Sequence, residues 1–182
     1  MNNPKKIITH TAVSNKKHTA QDVDVWHKAR WNGFTSKEFK NNNGEFYHVG
    51  YHYVIEWDGT VVQTRGDYEE GAHCIGMNTS SIGICCMGDG DKHLPSKAQI
   101  KSFQDLFFKL AEKHKLNKFD LEPHRKYANK SCHGSKLSDT YWQDQIHSPE
   151  MKSTMQKLHK LRQAVTLLTQ LLSLRRLKIN EK

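Results

Sequence analysis

Tyr51-His52-Tyr53-Val54-Ile55-Glu56-Trp57-Asp58-Gly59-Thr60-Val61-Val62-Gln63 sets two runs rich in aromatic and β-branched residues around an Asp-Gly pair. Glycine reaches the turn conformation without strain, and the flanking residue types suit paired strands, so the stretch predicts a β-hairpin. The other strand signals stand alone. Ile7-Ile8-Thr9-His10-Thr11-Ala12 is a short apolar run with polar residues at its end, the pattern of a buried strand that presents His10 at its C-terminal end. Ser81 to Gly88 reads as another buried strand, closed by a Gly-Asp-Gly-Asp turn, and Phe119-Asp120-Leu121 as a short third one. Helix signals fall between them. Thr19-Ala20-Gln21-Asp22 opens one helix, and Pro95-Ser96 opens another that runs to about Lys115 with Ile100, Phe103, Leu106, Phe107 and Leu110 on one face. Residues 138–147 predict a last helix, capped by Ser138 or Asp139. Strands alternating with helices, plus one hairpin, give an α/β fold: a mixed central β-sheet flanked by helices.

Ser148-Pro149 punctuates the chain, so two parts are expected, residues 1–147 and 148–182. Charge divides in nearly the same place. Of the formal +9, residues 1–150 carry 20 Lys/Arg against 18 Asp/Glu, whereas 151–182 carry 8 against 1. Leu158, Leu161, Val165, Leu168 and Leu172 keep the spacing of an apolar helical seam, widened by Leu167, Leu171 and Leu174. Basic residues gather at both ends of the tail, Arg175, Arg176 and Lys178 among them. A C-terminal amphipathic helix is therefore expected. It has two open uses: packing on its own domain or on a second copy of the chain, or meeting an anionic envelope or membrane surface. Nucleic acid is a poor third, because the tail has no aromatic residue to interleave with its cations.

Four cysteines, two of them the adjacent Cys85 and Cys86, do not make a disulfide framework. The N-terminal residues lack the apolar run and cleavage site of an export signal, and no segment has the length of a membrane span. Synthesis in a reducing cytoplasm is the expectation.

Thirteen residues, Glu122 to Gly134, hold two histidines, a cysteine and a lysine that can do chemistry. Three readings compete: a metal site, a thiol nucleophile paired with His124 or His133, and a basic surface loop. A set of His10, His124 and Cys132 would suit zinc, since imidazole and thiolate both ligate it and three protein ligands leave the fourth position open for water. Adjacent side chains such as Cys132 and His133 seldom align for nucleophile and base chemistry, which puts metal foremost. Spacing alone does not decide it.

Taken together the motifs are more specific. Ile8-Thr9-His10-Thr11-Ala12, Val25-Trp26-His27, Gly50-Tyr51-His52-Tyr53-Val54-Ile55, Gly71-Ala72-His73 with Asn78, Ser81-Ile82-Gly83, and His124 with Lys130-Ser131-Cys132 occur in this order. Over roughly residues 6–146 the chain resembles the zinc-dependent N-acetylmuramoyl-L-alanine amidases of the small phage endolysin type, which share a fold with peptidoglycan recognition proteins. The resemblance implies cleavage of the amide between N-acetylmuramic acid and L-alanine in peptidoglycan. It implies Zn2+ held by His10, His124 and Cys132, catalytic roles for Tyr51 and Lys130, and a substrate-cleft position for His73. It also implies release onto the cell wall from the host cytoplasm. A non-catalytic or regulatory protein of the same fold is the alternative, although relatives that bind without cutting lack the cysteine that this chain keeps. Many relatives carry Pro-Gly or Pro-Ser after that cysteine, where this chain has His133-Gly134. His133 is thus either a rival ligand or a replacement for the proline.

Overall fold

The computed structural model describes residues 1–31, 34–40, 47–146, 157–158 and 160–170. It divides into two units, Met1–Gln145 and Ile146–Lys182. In the first, the described strands are β1 (Lys6–Thr11), β2 (Tyr53–Ile55), β3 (Val61–Gln63), β4 (Ser81–Cys86) and β5 (Leu121–Pro123). They form one sheet in the order β3-β2-β4-β1-β5. Only β3 runs antiparallel, as the partner of β2 in the hairpin; the other neighbouring pairs are parallel. The sheet is therefore mixed. Its hairpin turn is closed by Gly59 N donating to Glu56 O at 2.9 Å, with Gly59 at φ 91°, a value that favours glycine.

Every residue of β4 is buried, as expected of a central parallel strand covered on both faces. The cover comes from helices α1 (Ala20–Arg30) and α2 (Lys97–His114). Val54 of β2 packs with Ala20 and Val23 of α1, together with Val49 and Met87. Its neighbours Tyr53 and Ile55 face the other way, because successive side chains alternate across a strand. On that second face α2 buries Phe103, Phe107 and Leu110. Gln99 of the same helix, also buried, donates from Nε2 to Ile55 O at 3.1 Å and Met87 O at 2.8 Å. A polar side chain inside the apolar stripe thus satisfies carbonyls at the ends of β2 and β4.

Both helix starts follow the sequence. Thr19 and Ser96 are the N-caps, each in a capping box, with Asp22 and Gln99 as the reciprocal partners. Two boundaries differ. Phe119-Asp120 belongs to a 3-10 turn, Lys118–Asp120, and the strand begins only at Leu121. The turn wins because Asn117 accepts from Phe119 N at 2.8 Å while Asp120 accepts from Asn117 N at 2.8 Å, leaving Phe119 70% exposed. The last helix, α3 (Tyr141–Ile146), begins at Tyr141 and not at residue 138, residue 147 lies outside the described residues, and Trp142 stacks on Phe103 with ring centroids 4.0 Å apart.

In the second unit, the described residues between 157 and 170 are helical, and Leu158, Leu161, Val165 and Leu168 are exposed on it. The boundary at Ser148-Pro149 and the tail residues Leu171, Leu172, Leu174, Arg175, Arg176 and Lys178 lie outside the described residues. Among the described residues, no helix is long and apolar enough to cross a membrane.

Candidate metal centre

Parallel strands bring their C-terminal ends to one edge of a sheet, where side chains from different strands can converge. Here β1 pairs with β5 through Thr9 and Pro123, so His10 comes level with His124, the first residue of the 3-10 turn His124–Lys126. Their ring centroids are 4.5 Å apart. On the other side His10 pairs in register with Cys85, which pairs with Val54; His10 therefore lies on the α1 face of the sheet.

The third member arrives on a loop. Arg125 N donates to Cys132 O at 3.1 Å and Arg125 Nη1 to Gly134 O at 3.1 Å, which turns residues 128–134 back over the strand ends. Gly134, at φ 104°, touches Gly90 so closely that a Cβ there would meet the Gly90 backbone at 2.2 Å. The turn sets Cys132 Sγ 3.8 Å from His10 Nδ1. One ligand atom from each of His10, His124 and Cys132 lies within 4.8 Å of the others.

His133 goes to the opposite side of the sheet. Its Nδ1 is 3.0 Å from Thr9 Oγ1 and its Nε2 3.2 Å from Ser138 O. Thr9 and His10 are successive residues of β1 and point to opposite faces, so a loop that gives Cys132 to His10 gives His133 to Thr9. His133 is buried and lies outside the cluster of His10, His124 and Cys132.

The donor set fits a metal ion. His124 Nδ1 is a buried nitrogen with no hydrogen-bond partner among the described residues. A tetrahedral zinc with ligand bonds of about 2.0–2.3 Å sets its donors about 3.5 Å apart, close to the His10–Cys132 spacing of 3.8 Å. Burial, then the neighbouring His73 and His124, pushes His10 well below its usual pKa. Burial and the Lys130 cation also lower His124. Both imidazoles are therefore neutral at pH 7, with lone pairs free to ligate. Burial pushes the Cys132 thiol up, against the pull of the Thr11 backbone, Lys130 and Arg125, so a metal must displace its proton.

The three side chains share a cleft of about 520 Å³ with Tyr51, His73 and Lys130. All six residues implied by the resemblance are thus brought to one place. A larger groove, about 730 Å³, lies between residues 13–18 and 89–93 and holds none of them. The Tyr51 ring is 4.9 Å from that of His10. Burial and the Cys85 and Cys132 thiols hold its phenol well above the usual range, which keeps it a hydrogen-bond donor at neutral pH. His73 is almost wholly buried, with Nδ1 3.1 Å from His10 Nε2.

His27 has a role the sequence did not announce. Its Nδ1 accepts from Gly50 N at 2.8 Å, and its ring lies 5.3 Å from that of Tyr51, so it fixes the backbone just before that residue. The available signal was its place one turn before the end of α1, facing inward from the helix. Arg30 and Trp31, which follow on the same helix end, complete the cleft wall.

The sequence model of N-acetylmuramoyl-L-alanine amidases matches residues 1–135. Peptidoglycan-recognition protein 2 of Holotrichia diomphalia is 36% identical over 64 residues, 35% of this chain and 34% of that protein. The endolysin of Enterobacteria phage T3 is 35% identical over 89 residues, 46% of this chain and 58% of that protein. The chain thus spans less than two thirds of the length of either curated relative. Among solved structures, N-acetylmuramoyl-L-alanine amidase LysC from Clostridium intestinale URNW superposes with a TM-score of 0.65 at 26% identity, covering 80% of this chain and 86% of that one.

Proposed function

Because the chain belongs to the N-acetylmuramoyl-L-alanine amidase family, matched over residues 1–135, we propose that it hydrolyses the amide between the lactyl group of N-acetylmuramic acid and the L-alanine of the stem peptide. The observation that carries the reading is the convergence of His10, His124 and Cys132 within 4.8 Å, in a cleft also lined by Tyr51 and Lys130. Zn2+ is the cofactor that suits two neutral imidazoles and a thiolate with a fourth position open. Held there, it would supply Lewis acidity and bring the pKa of a water to about 7.

The chain's own groups do the rest. Lys130 places a cation at the mouth of the cleft, beside the His124 and Cys132 side chains whose pKa values it lowers. There it stabilises negative charge developing on the scissile carbonyl oxygen. Tyr51 keeps its proton and donates a hydrogen bond to the attacking or developing oxygen. Tyr51 does not have to move for this, because its ring is already packed against those of His10 and His27 before substrate arrives. The test is the product. Digested walls should gain free L-alanine N-termini while reducing sugar ends stay constant, and a rise in reducing ends instead would overturn the assignment.

Phage endolysins are among the relatives, which supports a role in host-wall lysis after release from the cytoplasm. For the tail, the anionic-surface reading draws support from its charge, 8 Lys/Arg against one Asp/Glu in residues 151–182, and from the exposed Leu158, Leu161, Val165 and Leu168. Each basic residue near an anionic surface is worth about 1 kcal/mol. A shortened chain ending at Ser148 is therefore expected to clear purified walls like the full chain but to bind anionic lipid vesicles at least about tenfold more weakly. Equal vesicle binding by the two overturns this, and a lower oligomeric state of the shortened chain in sedimentation would assign the tail to self-association instead.

A further inference from the structure

His10 has two ring nitrogens, and only one can hold a lone pair toward the metal point while the ring is neutral. Which one does so is decided by hydrogen bonds running away from the site. Ser81 Oγ donates to Met77 O at 2.7 Å, which uses its only proton. Its oxygen can then only accept from His73 Nε2, 3.5 Å away, so His73 carries its proton on Nε2 and presents a bare Nδ1. That Nδ1 is 3.1 Å from His10 Nε2, which must therefore be the donor. The remaining nitrogen of His10, Nδ1, is left bare, and it is the one 3.8 Å from Cys132 Sγ.

The His73 ring is held where this chain needs it. A Cβ on Gly83 would lie 2.5 Å from His73 Cγ, and one on Gly71 would lie 2.5 Å from His73 Cδ2, so two residues without side chains form its seat. From the backbone, His73 N donates to Asn78 Oδ1 at 2.9 Å. This burial leaves His73 little surface to offer a substrate, although its edge reaches the cleft.

We infer that His73 is a positioning residue: it accepts a hydrogen bond from His10 Nε2 and so locks His10 in the tautomer whose Nδ1 faces Cys132 and His124. The inference rests on the metal reading of His10, His124 and Cys132. Groups that orient a ligating imidazole in this way raise its basicity, and their loss weakens metal binding by about 10–100-fold.

The experiment measures zinc affinity of the full chain by competition with a chromogenic chelator, for wild type, His73→Ala, His73→Asn and His73→Gln. Asparagine can place a carbonyl oxygen near the position of Nδ1, whereas glutamine carries its amide past it. Expected are affinities about 10–100-fold weaker in His73→Ala and His73→Gln, with His73→Asn within about threefold of wild type. Nitrogen-15 NMR of the metal-free protein gives a second readout: the His10 ring should be a single Nε2-protonated tautomer in wild type and His73→Asn, and a mixture in the other two. Tight zinc in wild type with unchanged affinity and tautomer in His73→Ala overturns this inference and leaves the metal reading standing. No zinc binding by wild type overturns the metal reading and the inference with it. If His73→Ala does not fold, the Asn and Gln pair decides: equal affinities in the two overturn the inference.

Discussion

Cys132→Ala is expected to lose stoichiometric zinc and to lower wall clearing by about a thousandfold or more, since a metal Lewis acid is worth several kcal/mol and each 1.36 kcal/mol is tenfold in rate. The loss should be chemical and leave the fold intact. The loop around Cys132 is pinned by other groups, Arg125 on the carbonyls of Cys132 and Gly134, and Thr11 Oγ1 on His133 O at 2.9 Å. Far-UV circular dichroism should therefore be unchanged. His10 and His124 would remain, but two neutral ligands without the thiolate lose both a bond and the charge that offsets the ion. Metal content and turbidity clearing of purified walls, measured on the same preparations, check the prediction. Stoichiometric zinc in wild type with undiminished clearing by Cys132→Ala would sink the proposed mechanism.

The features legible in the sequence are those fixed by neighbours along the chain. The Asp58-Gly59 turn, the capping boxes at Thr19 and Ser96, and the apolar run ending in His10 each carry their own local cause, and each is found in the fold. The Phe119 region shows the limit of apolar pattern. Asn117 and Asp120 are also a local signal, a capping pair, and their side chains override the strand-like look of Phe119-Asp120-Leu121. Gln99 shows another: a polar residue among apolar ones gives no hint in sequence that two strand-end carbonyls need a donor.

The candidate site was legible only in part, for a topological reason. His10 and Cys132 are separated by 122 residues and meet because β1 lies between β4 and β5. Residue types and motif order name the candidates, but only strand register makes His10 level with His124. The same register settles His133. Nothing in Cys132-His133-Gly134 says that two adjacent residues straddle a strand; the alternation of Thr9 and His10 does. The His73 to Ser81 contact is likewise invisible in one dimension, since it needs Gly83 and Gly71 to make room.

Lys130→Ala is expected to keep zinc at wild-type stoichiometry while kcat falls by about 10²–10³, the usual cost of removing one group aimed at a developing oxyanion. Lys130 is exposed at the cleft mouth and is not among the three converging ligand atoms, so its removal leaves the donor set whole. Removing the cation also takes away a positive charge that repels a divalent ion, so loss of metal is not the expected outcome. Lys130→Arg should recover part of the rate, because the charge returns on a wider, planar group. Tyr51→Phe gives the matching comparison: it removes a hydrogen-bond donor and no charge, and should cost less than Lys130→Ala. KM should change little in either, since both groups act on charge that appears after binding. A Lys130→Ala enzyme within about threefold of wild-type kcat would remove the lysine from the mechanism and leave charge stabilisation to the metal centre and Tyr51.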